Sequence, residues 1–283
     1  MTRTRHIFQA RGRRLLLGER TMIMGVMNLT PDSFSCDGLL SVSRDPAAHL
    51  RFAQKLVRDG ADILDIGGES TRPGARKISV GEELRRILPT LRLLVKKTTI
   101  PVSVDTYKPR VAMAALEEGA SIINNIMGAR PDVRLLKAVR DHGAGIVLMH
   151  MRGTPVTMQK NPTYRNVIKE IISELRYGVE KCLEIGIKKN RIMVDPGIGF
   201  GKTVEHNLDI LRHLSDLNVL HCPVLVGTSR KSFIGRILDK DITARTIGTA
   251  ATVCAAVLNG AHIVRVHDVA PMKQAAAMAD AIL

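Results

Sequence analysis

The chain has 283 residues, of which 45% are hydrophobic and 24% are charged, with a formal net charge of +15. This apolar content excludes an intrinsically disordered protein, and four cysteines without a CxxC pair disfavour a zinc ribbon or a disulfide-rich secreted scaffold. Scattered thiols are typical of a reducing cytoplasm, where we expect the protein to reside. The longest uncharged stretch, residues 246–264, is rich in Thr, Gly and Ala, so we expect no membrane association.

The excess of positive charge favours anionic partners such as nucleic acid or phosphorylated small molecules. Six of the first twenty residues are arginines, a composition that also occurs in transit peptides. The pattern of residues 8–17 around Gly12 favours a β-hairpin instead. Aromatic residues make up only 3% of the chain and no groove-reading motif is present, so we expect no nucleic-acid partner.

Short apolar runs then recur along the chain, with segments of helical periodicity between them. Continuous rather than alternating apolar runs indicate strands that are covered on both faces, as in parallel sheets. This alternation predicts a single α/β domain spanning residues 1–283, a (β/α)8 TIM barrel with an N-terminal hairpin. An open doubly wound sheet is the alternative. The predicted strands are residues 22–27, 63–66, 101–104, 121–123, 145–149, 192–194, 224–226 and 263–266.

The predicted helical segments are residues 49–59, 81–97, 108–118, 131–141, 167–184 and 243–258. Pro89 lies within the second of them, where we expect a kink or a helix boundary.

Polar side chains follow each predicted strand, at the end of the barrel where active sites of this fold lie. Asp105, Asn124, Asp195 and Lys231 offer carboxylates, an amide and a cation. A carboxylate accepts two parallel N–H bonds from an amidine-like edge, so this set suits a flat nitrogen heterocycle. Asp65, near the end of the second predicted strand, is expected to orient the loop that follows this strand.

A second polar set suits an anion. Asn28, Arg265 and His267 lie at the ends of the first and last predicted strands, which are neighbours in a closed barrel. Asn28 also offers an oxygen ligand for Mg²⁺. The long loops 28–40 and 67–76 are rich in Gly, Pro and Ser and could close over a substrate.

Residues 197–203, GIGFGKT, end like a phosphate-binding P-loop. A P-loop requires glycine where Pro196 stands, and the dinucleotide-binding pattern fails because Lys202 replaces its third glycine. Neither nucleotide-binding fold is therefore predicted.

The strand-end segments together resemble the dihydropteroate synthases, of the pterin-binding enzyme family. The resemblance runs from about residue 22 to residue 268. Eight segments in the same order are far more specific than any one alone. They are MGVMNLTPDSFS at 24–35, DIGGESTRPGA at 65–75, VDTYKP at 104–109, IINN at 122–125, LMHMRGTPVTMQ at 148–159, DPGIGFGK at 195–202, SRKS at 229–232 and RVHDV at 265–269.

This resemblance implies a transferase of folate synthesis. It would condense 6-hydroxymethyl-7,8-dihydropterin diphosphate with 4-aminobenzoate in an SN1-like displacement, giving 7,8-dihydropteroate and diphosphate. The family requires Mg²⁺, generally forms homodimers and is the target of sulfonamides.

Residue roles implied by the resemblance follow the matched positions. The pterin ring would contact Asp105, Asn124, Met149, Asp195 and Lys231, of which Asp105, Asp195 and Lys231 would also serve catalysis. Diphosphate would contact Asn28, Thr71, Arg72, Arg265 and His267, with Asn28 holding the metal. Aminobenzoate would contact Phe34, Thr71, Pro73 and Ser232.

Two positions depart from the family pattern: Cys36 interrupts the first loop, and Asn125 stands where many members have aspartate. Two other functions compete with the synthase. A pterin-dependent methyltransferase shares the barrel and pterin pocket but needs no diphosphate site, which argues against it. A basic, non-catalytic scaffold is the other alternative.

Overall fold

The computed structural model describes residues 3–31, 45–71 and 74–283. At the N-terminus, strands β1 (His6–Ala10) and β2 (Arg13–Leu17) pair antiparallel. Arg11 and Gly12 connect them, both at positive φ (50° and 76°), as a two-residue hairpin turn requires. The predicted hairpin is confirmed.

Eight parallel strands form the barrel, in the neighbour order β8-β7-β6-β5-β4-β3-β10-β9. A bridge between Val194 and Val224 joins the two ends of this series, so the predicted barrel is confirmed and the open-sheet alternative is wrong. The strands are β3 (Met22–Asn28), β4 (Ile63–Gly67), β5 (Val102–Asp105), β6 (Ile122–Asn125), β7 (Gly145–Met149), β8 (Ile192–Asp195), β9 (Leu225–Val226) and β10 (Ile263–Val266).

Nine α-helices surround the strands in the described ranges. They are α1 (Pro46–Arg58), α2 (Val80–Lys97), α3 (Pro109–Glu117), α4 (Val133–Asp141), α5 (Val167–Glu184), α6 (Val204–Arg212), α7 (Ser232–Leu238), α8 (Thr246–Leu258) and α9 (Val269–Ile282). Pro89 lies inside α2, which continues past it to Lys97, so the proline does not end that helix. Helices α6 and α9 lie outside the segments predicted to be helical.

In the part of the chain that the structure covers, we find no helix with both the length and the apolar character needed to cross a bilayer.

The hairpin closes the N-terminal end of the barrel. Phe8, Ala10 and Leu17 are buried against inward-facing side chains from the starts of the barrel strands. Gly145 opens β7 at this contact, and a Cβ atom there would lie 2.4 Å from Phe8 Cζ. Because this end is filled by close-packed side chains, a ligand can enter only from the opposite end.

His262 fastens the hairpin to the barrel next to its closing strands. The buried ring accepts a hydrogen bond at Nδ1 from the Val224 N–H (3.1 Å). Its Nε2 lies 2.8 Å from the Thr4 carbonyl oxygen and donates to it. Burial lowers the pKa of His262 to about 4, although the Thr4 carbonyl opposes this shift.

We predict that His262 makes the barrel acid-sensitive. A histidine with a lowered folded-state pKa stabilises the protein above about pH 6.5 and loses that contribution as the pH falls towards 4. At pH 4.5 the loss amounts to about 2 kcal/mol of unfolding free energy. Denaturant titrations at pH 7 and 4.5 should show a smaller pH-dependent fall in His262→Asn than in the wild type. The exposed His213 provides the control: if His213→Asn reduces the fall equally, His262 is not the responsible group.

Candidate active site

One cavity of about 690 Å³ lies at the carboxyl ends of the barrel strands. Ten of the thirteen predicted site residues line it, although they come from all eight barrel strands or the loops that follow them. Phe34, Arg72, Pro73 and the variant position Cys36 lie outside the described residues. The lining set is Asn28, Thr71, Asp105, Asn124, Met149, Asp195, Lys231, Ser232, Arg265 and His267.

Arg265 connects the two polar sets that the sequence analysis kept apart. Its Nε donates to Asp65 Oδ2 at 2.6 Å, and its Nη2 donates to Asp105 Oδ2 at 3.0 Å. Arg265 was assigned to the anion set and Asp105 to the heterocycle set. The guanidinium therefore links both halves of the cavity floor.

Asp65 has a different role from the one expected. Its side chain is fully buried, and Oδ2 also accepts a hydrogen bond from Asn124 Nδ2 at 3.2 Å. These contacts face the barrel interior rather than the loop after β4. Asp65 therefore orients an arginine and an amide of the cavity.

Asp105 and Asn124 each present a buried oxygen to the cavity. Burial raises the pKa of Asp105 to about 7, while the Arg265 guanidinium opposes this shift. Within the described part of the chain, neither Asp105 Oδ1 nor Asn124 Oδ1 has a hydrogen-bond partner. Buried acceptors of this kind favour a ligand that brings its own N–H donors.

Asp195 lies across the cavity at the end of β8. Its Oδ1 accepts a hydrogen bond from the Gly197 N–H at 2.7 Å. Gly197 has φ +69°, and a Cβ atom there would lie 1.9 Å from the His150 carbonyl oxygen, so only glycine fits this turn. Burial raises the pKa of Asp195 to about 6, against the effect of the Gly197 hydrogen bond.

Lys231 precedes helix α7 and makes no capping hydrogen bond with its side chain. Its Nζ lies 3.9 Å from the centroid of the Phe200 ring, which also lines the cavity. A cation over an aromatic face is held without losing its ability to donate to a ligand.

The loop after β4 is held by a partly buried lysine that was not predicted from the sequence. Lys108 Nζ donates to Glu83 Oε2 at 2.6 Å and to the Ile78 carbonyl at 2.8 Å, and lies 3.1 Å from Glu69 Oε2. Glu69 Oε1 accepts from the Ile78 N–H at 2.8 Å. These contacts anchor both ends of the loop that carries Thr71.

Comparisons with known proteins agree with this geometry. The family described as pterin binding enzyme matches residues 24–267. The dihydropteroate synthase of Synechocystis sp. is 46% identical over 94% of this chain and 91% of its own length. The Bacillus subtilis enzyme of the same name is 45% identical over 94% and 90%.

The chain belongs to the dihydropteroate synthases of the pterin-binding enzyme family. The Yersinia pestis dihydropteroate synthase, solved in complex with a sulfonamide drug, superposes with a TM-score of 0.92 at 39% identity over 98% of both chains. The Xanthomonas albilineans enzyme, solved with 4-aminobenzoic acid, gives 0.89 at 40% identity over 99% and 98%. The predicted family, barrel fold and transferase class are therefore confirmed.

Further cavity residues of this synthase were missed by the sequence analysis. Ser229 Oγ accepts a hydrogen bond from the His267 backbone N–H at 3.2 Å and lies 3.0 Å from His267 Nδ1. Arg230 pairs with Asp268 through two contacts of 2.7 and 3.1 Å. The SRKS and RVHDV segments thus bond to each other, a pairing that neither segment reveals alone.

We predict that Asp65→Asn lowers kcat/KM by at least about tenfold, because Arg265 and Asn124 lose a shared charged anchor. Steady-state kinetics and denaturant titration measure activity and stability separately. Asp62→Asn is the matched control, since Asp62 pairs with Arg20 at 2.6 and 2.9 Å at the opposite end of the barrel. If both variants lose activity only in proportion to their loss of stability, Asp65 does not orient the site.

Proposed function

We propose that this cavity joins 6-hydroxymethyl-7,8-dihydropterin diphosphate to 4-aminobenzoate, releasing diphosphate and 7,8-dihydropteroate. The observation that carries the proposal is that two buried carboxylates, an amide and two cations line the same cavity. The carboxylates are Asp105 and Asp195, the amide is Asn124, and the cations are Lys231 and Arg265.

The pterin ring is proposed to bind between Asp105 and Asp195. Each ionised carboxylate accepts N–H donors from the edge of the ring, and Asn124 adds an amide acceptor. Lys231 donates to the acceptor atoms of the ring, and Met149, which is 4% exposed, packs against it. A dihydropteroate synthase of Clostridium difficile was solved in the presence of pteroic acid, which contains such a ring.

The diphosphate is proposed to bind at the junction of β3 and β10, near Asn28, Thr71, Arg265 and His267. These strands are neighbours in the barrel, so the residues that follow them share one side of the cavity. Arg72 is assigned to this set by its position in the loop after Thr71. Cationic side chains here neutralise the charge of a leaving diphosphate.

We propose Mg²⁺ as the cofactor, held by Asn28. Among the described residues, no cluster of three or more His, Cys, Asp or Glu side chains could hold a metal ion. A single amide oxygen nevertheless fits Mg²⁺, which keeps several waters and takes other ligands from substrate phosphates. When bound, the ion supplies positive charge to the diphosphate.

The reaction is proposed to follow an SN1-like path. The bond between the methylene carbon and the diphosphate oxygen breaks, and the electron pair leaves with diphosphate. Asp105 and Asp195 stabilise the delocalised pterin cation in a site with little water. The amine lone pair of aminobenzoate then forms the carbon–nitrogen bond, and the nitrogen releases its proton to the departing diphosphate or to solvent.

Aminobenzoate is proposed to bind at the mouth of the cavity, beside the methylene carbon. Thr71 and Ser232 line this part of the cavity, and Ser232 is placed to meet the carboxylate. Phe34 and Pro73 complete the set by their positions in the two loops. Enclosure by these loops would keep water from capturing the cation.

We predict that Asp195→Ala and Lys231→Ala each lower turnover by at least about 100-fold with little loss of folding. Diphosphate release should be measured with and without aminobenzoate, and the wild type should require both substrates. Asp209→Ala and Lys181→Ala, on exposed faces of α6 and α5, are the matched controls. Normal turnover in both cavity variants would remove the proposed pterin site.

The protein is proposed to form a homodimer through helices α8 and α9, which pack against each other. Apolar side chains on these helices face solvent: Ile247 is 84% exposed, Met278 is 64% exposed and Ile282 is 68% exposed. Large exposed apolar side chains on two packed helices favour this surface as the subunit contact.

We predict that the wild type sediments as a dimer and that Ile247→Asp raises the dimer dissociation constant at least about tenfold, because a charge would be buried in the contact. Val219→Asp is the control, since Val219 is also an exposed apolar residue, at 51%, but lies in a different segment. A monomeric wild type, or equal masses for both variants, would contradict the proposed contact.

A further inference from the structure

The lysine of the Gly-Lys-Thr segment points into the protein rather than towards a phosphate. Lys202 is 2% exposed. Its Nζ donates to the Phe200 carbonyl oxygen at 2.9 Å and lies 3.0 Å from His150 Nδ1. Lysines are almost never fully buried without a partner of opposite charge, so this position calls for a functional explanation.

His150 supplies the neutral acceptor for this lysine. Burial, together with the Lys202 charge, lowers the pKa of the ring to about 4. The uncharged ring accepts at Nδ1, and its Nε2 lies 3.5 Å from Glu174 Oε2. The backbone N–H of His150 donates to the Asp195 carbonyl at 2.9 Å, so the same residue contacts both the buried lysine and the cavity strand.

Four charged groups act electrostatically on Lys202. They are Asp195 and Lys231, which line the cavity, and Glu174 on α5 and Arg152 in the loop after β7. Burial lowers the pKa of Lys202 to about 7, and the Asp195 carboxylate opposes this shift. In return, the Lys202 ammonium, like that of Lys231, lowers the pKa of Asp195.

The loop between Asp195 and Lys202 is folded back onto the barrel. Gly197, Gly199 and Gly201 all have positive φ, at 69°, 82° and 63°. The Phe200 ring at the tip of this loop lies against Lys231 Nζ. By holding the Phe200 carbonyl, Lys202 fixes the aromatic surface on which the Lys231 cation rests.

We propose that Lys202 is a positioning residue of the pterin site. Its side chain holds the loop after β8 against the barrel and supplies a positive charge behind Asp195 that keeps this carboxylate ionised. The inference rests on the proposed synthase function and deepens it. Lys202 touches neither the cavity nor the substrates, so it acts through Phe200 and Asp195.

Two neutral substitutions separate these contributions. Lys202→Met removes both the charge and the donor, whereas Lys202→Gln removes the charge and keeps a donor for the Phe200 carbonyl. In both variants the acid limb of the pH profile of kcat/KM for pterin diphosphate should move to higher pH by about one unit. The reason is that the Asp195 carboxylate protonates more easily without the nearby cation. The KM for pterin diphosphate should rise about tenfold in Lys202→Met and less in Lys202→Gln, with the KM for aminobenzoate little changed.

Lys189→Met is the matched control. Lys189 Nζ also donates to a backbone carbonyl, that of Leu220 at 2.7 Å, but at the closed end of the barrel. It should leave the pH profile at the wild-type position. If Lys202→Met does not fold, Lys202→Gln carries the same comparison.

An acid limb that stays at the wild-type pH in the Lys202 variants, with kinetics equal to those of Lys189→Met, would overturn the inference. That result would leave the synthase function standing, because the wild type would still convert both substrates. A wild type without aminobenzoate-dependent diphosphate release would instead refute the proposed function itself.

Discussion

The cavity depends on one guanidinium that is shared by two carboxylates in the barrel interior. Asp65 and Asp105 lie on neighbouring strands and face the same closed interior, where like charges repel strongly. Arg265 reaches both from β10, and Asp65 in turn holds Asn124. Because removing one partner from such a group leaves a buried charge uncompensated, the positions of these four side chains depend on one another.

This arrangement has a chemical consequence, because the hairpin closes the other end of the barrel. Phe8 packs against Gly145 and excludes water from the N-terminal end of the barrel. Burial raises the pKa of both Asp105 and Asp195, so each carboxylate gains from a ligand that brings hydrogen-bond donors or positive charge. A pterin supplies donors when it binds and a cation when its diphosphate leaves. The same desolvation therefore favours the bound substrate and, more strongly, the charged intermediate.

The barrel and most of the residues that line its cavity could be predicted from the sequence, since each buried strand is a continuous apolar run with a polar residue near its end. Helix α9 was missed because it is rich in alanine, so no distinct apolar face marks it in the sequence. The link from Arg265 to Asp65 could not be predicted, because 200 residues separate them and no local pattern shows which side chains meet across a closed barrel. Asp65 was consequently interpreted from its sequence neighbours as a loop residue.

Lys202 shows most clearly that a short sequence motif does not determine where its side chains lie in the fold. In a P-loop, glycines let the backbone approach a phosphate and the lysine reaches the same ligand. Here three glycines at positive φ turn the loop back onto the barrel, so the lysine enters the protein and Thr203 caps α6 instead. In the sequence, Pro196 was enough to exclude a P-loop. Only the fold shows that the buried ammonium lies against the Phe200 carbonyl and His150, from where its charge acts on the Asp195 carboxylate through the protein.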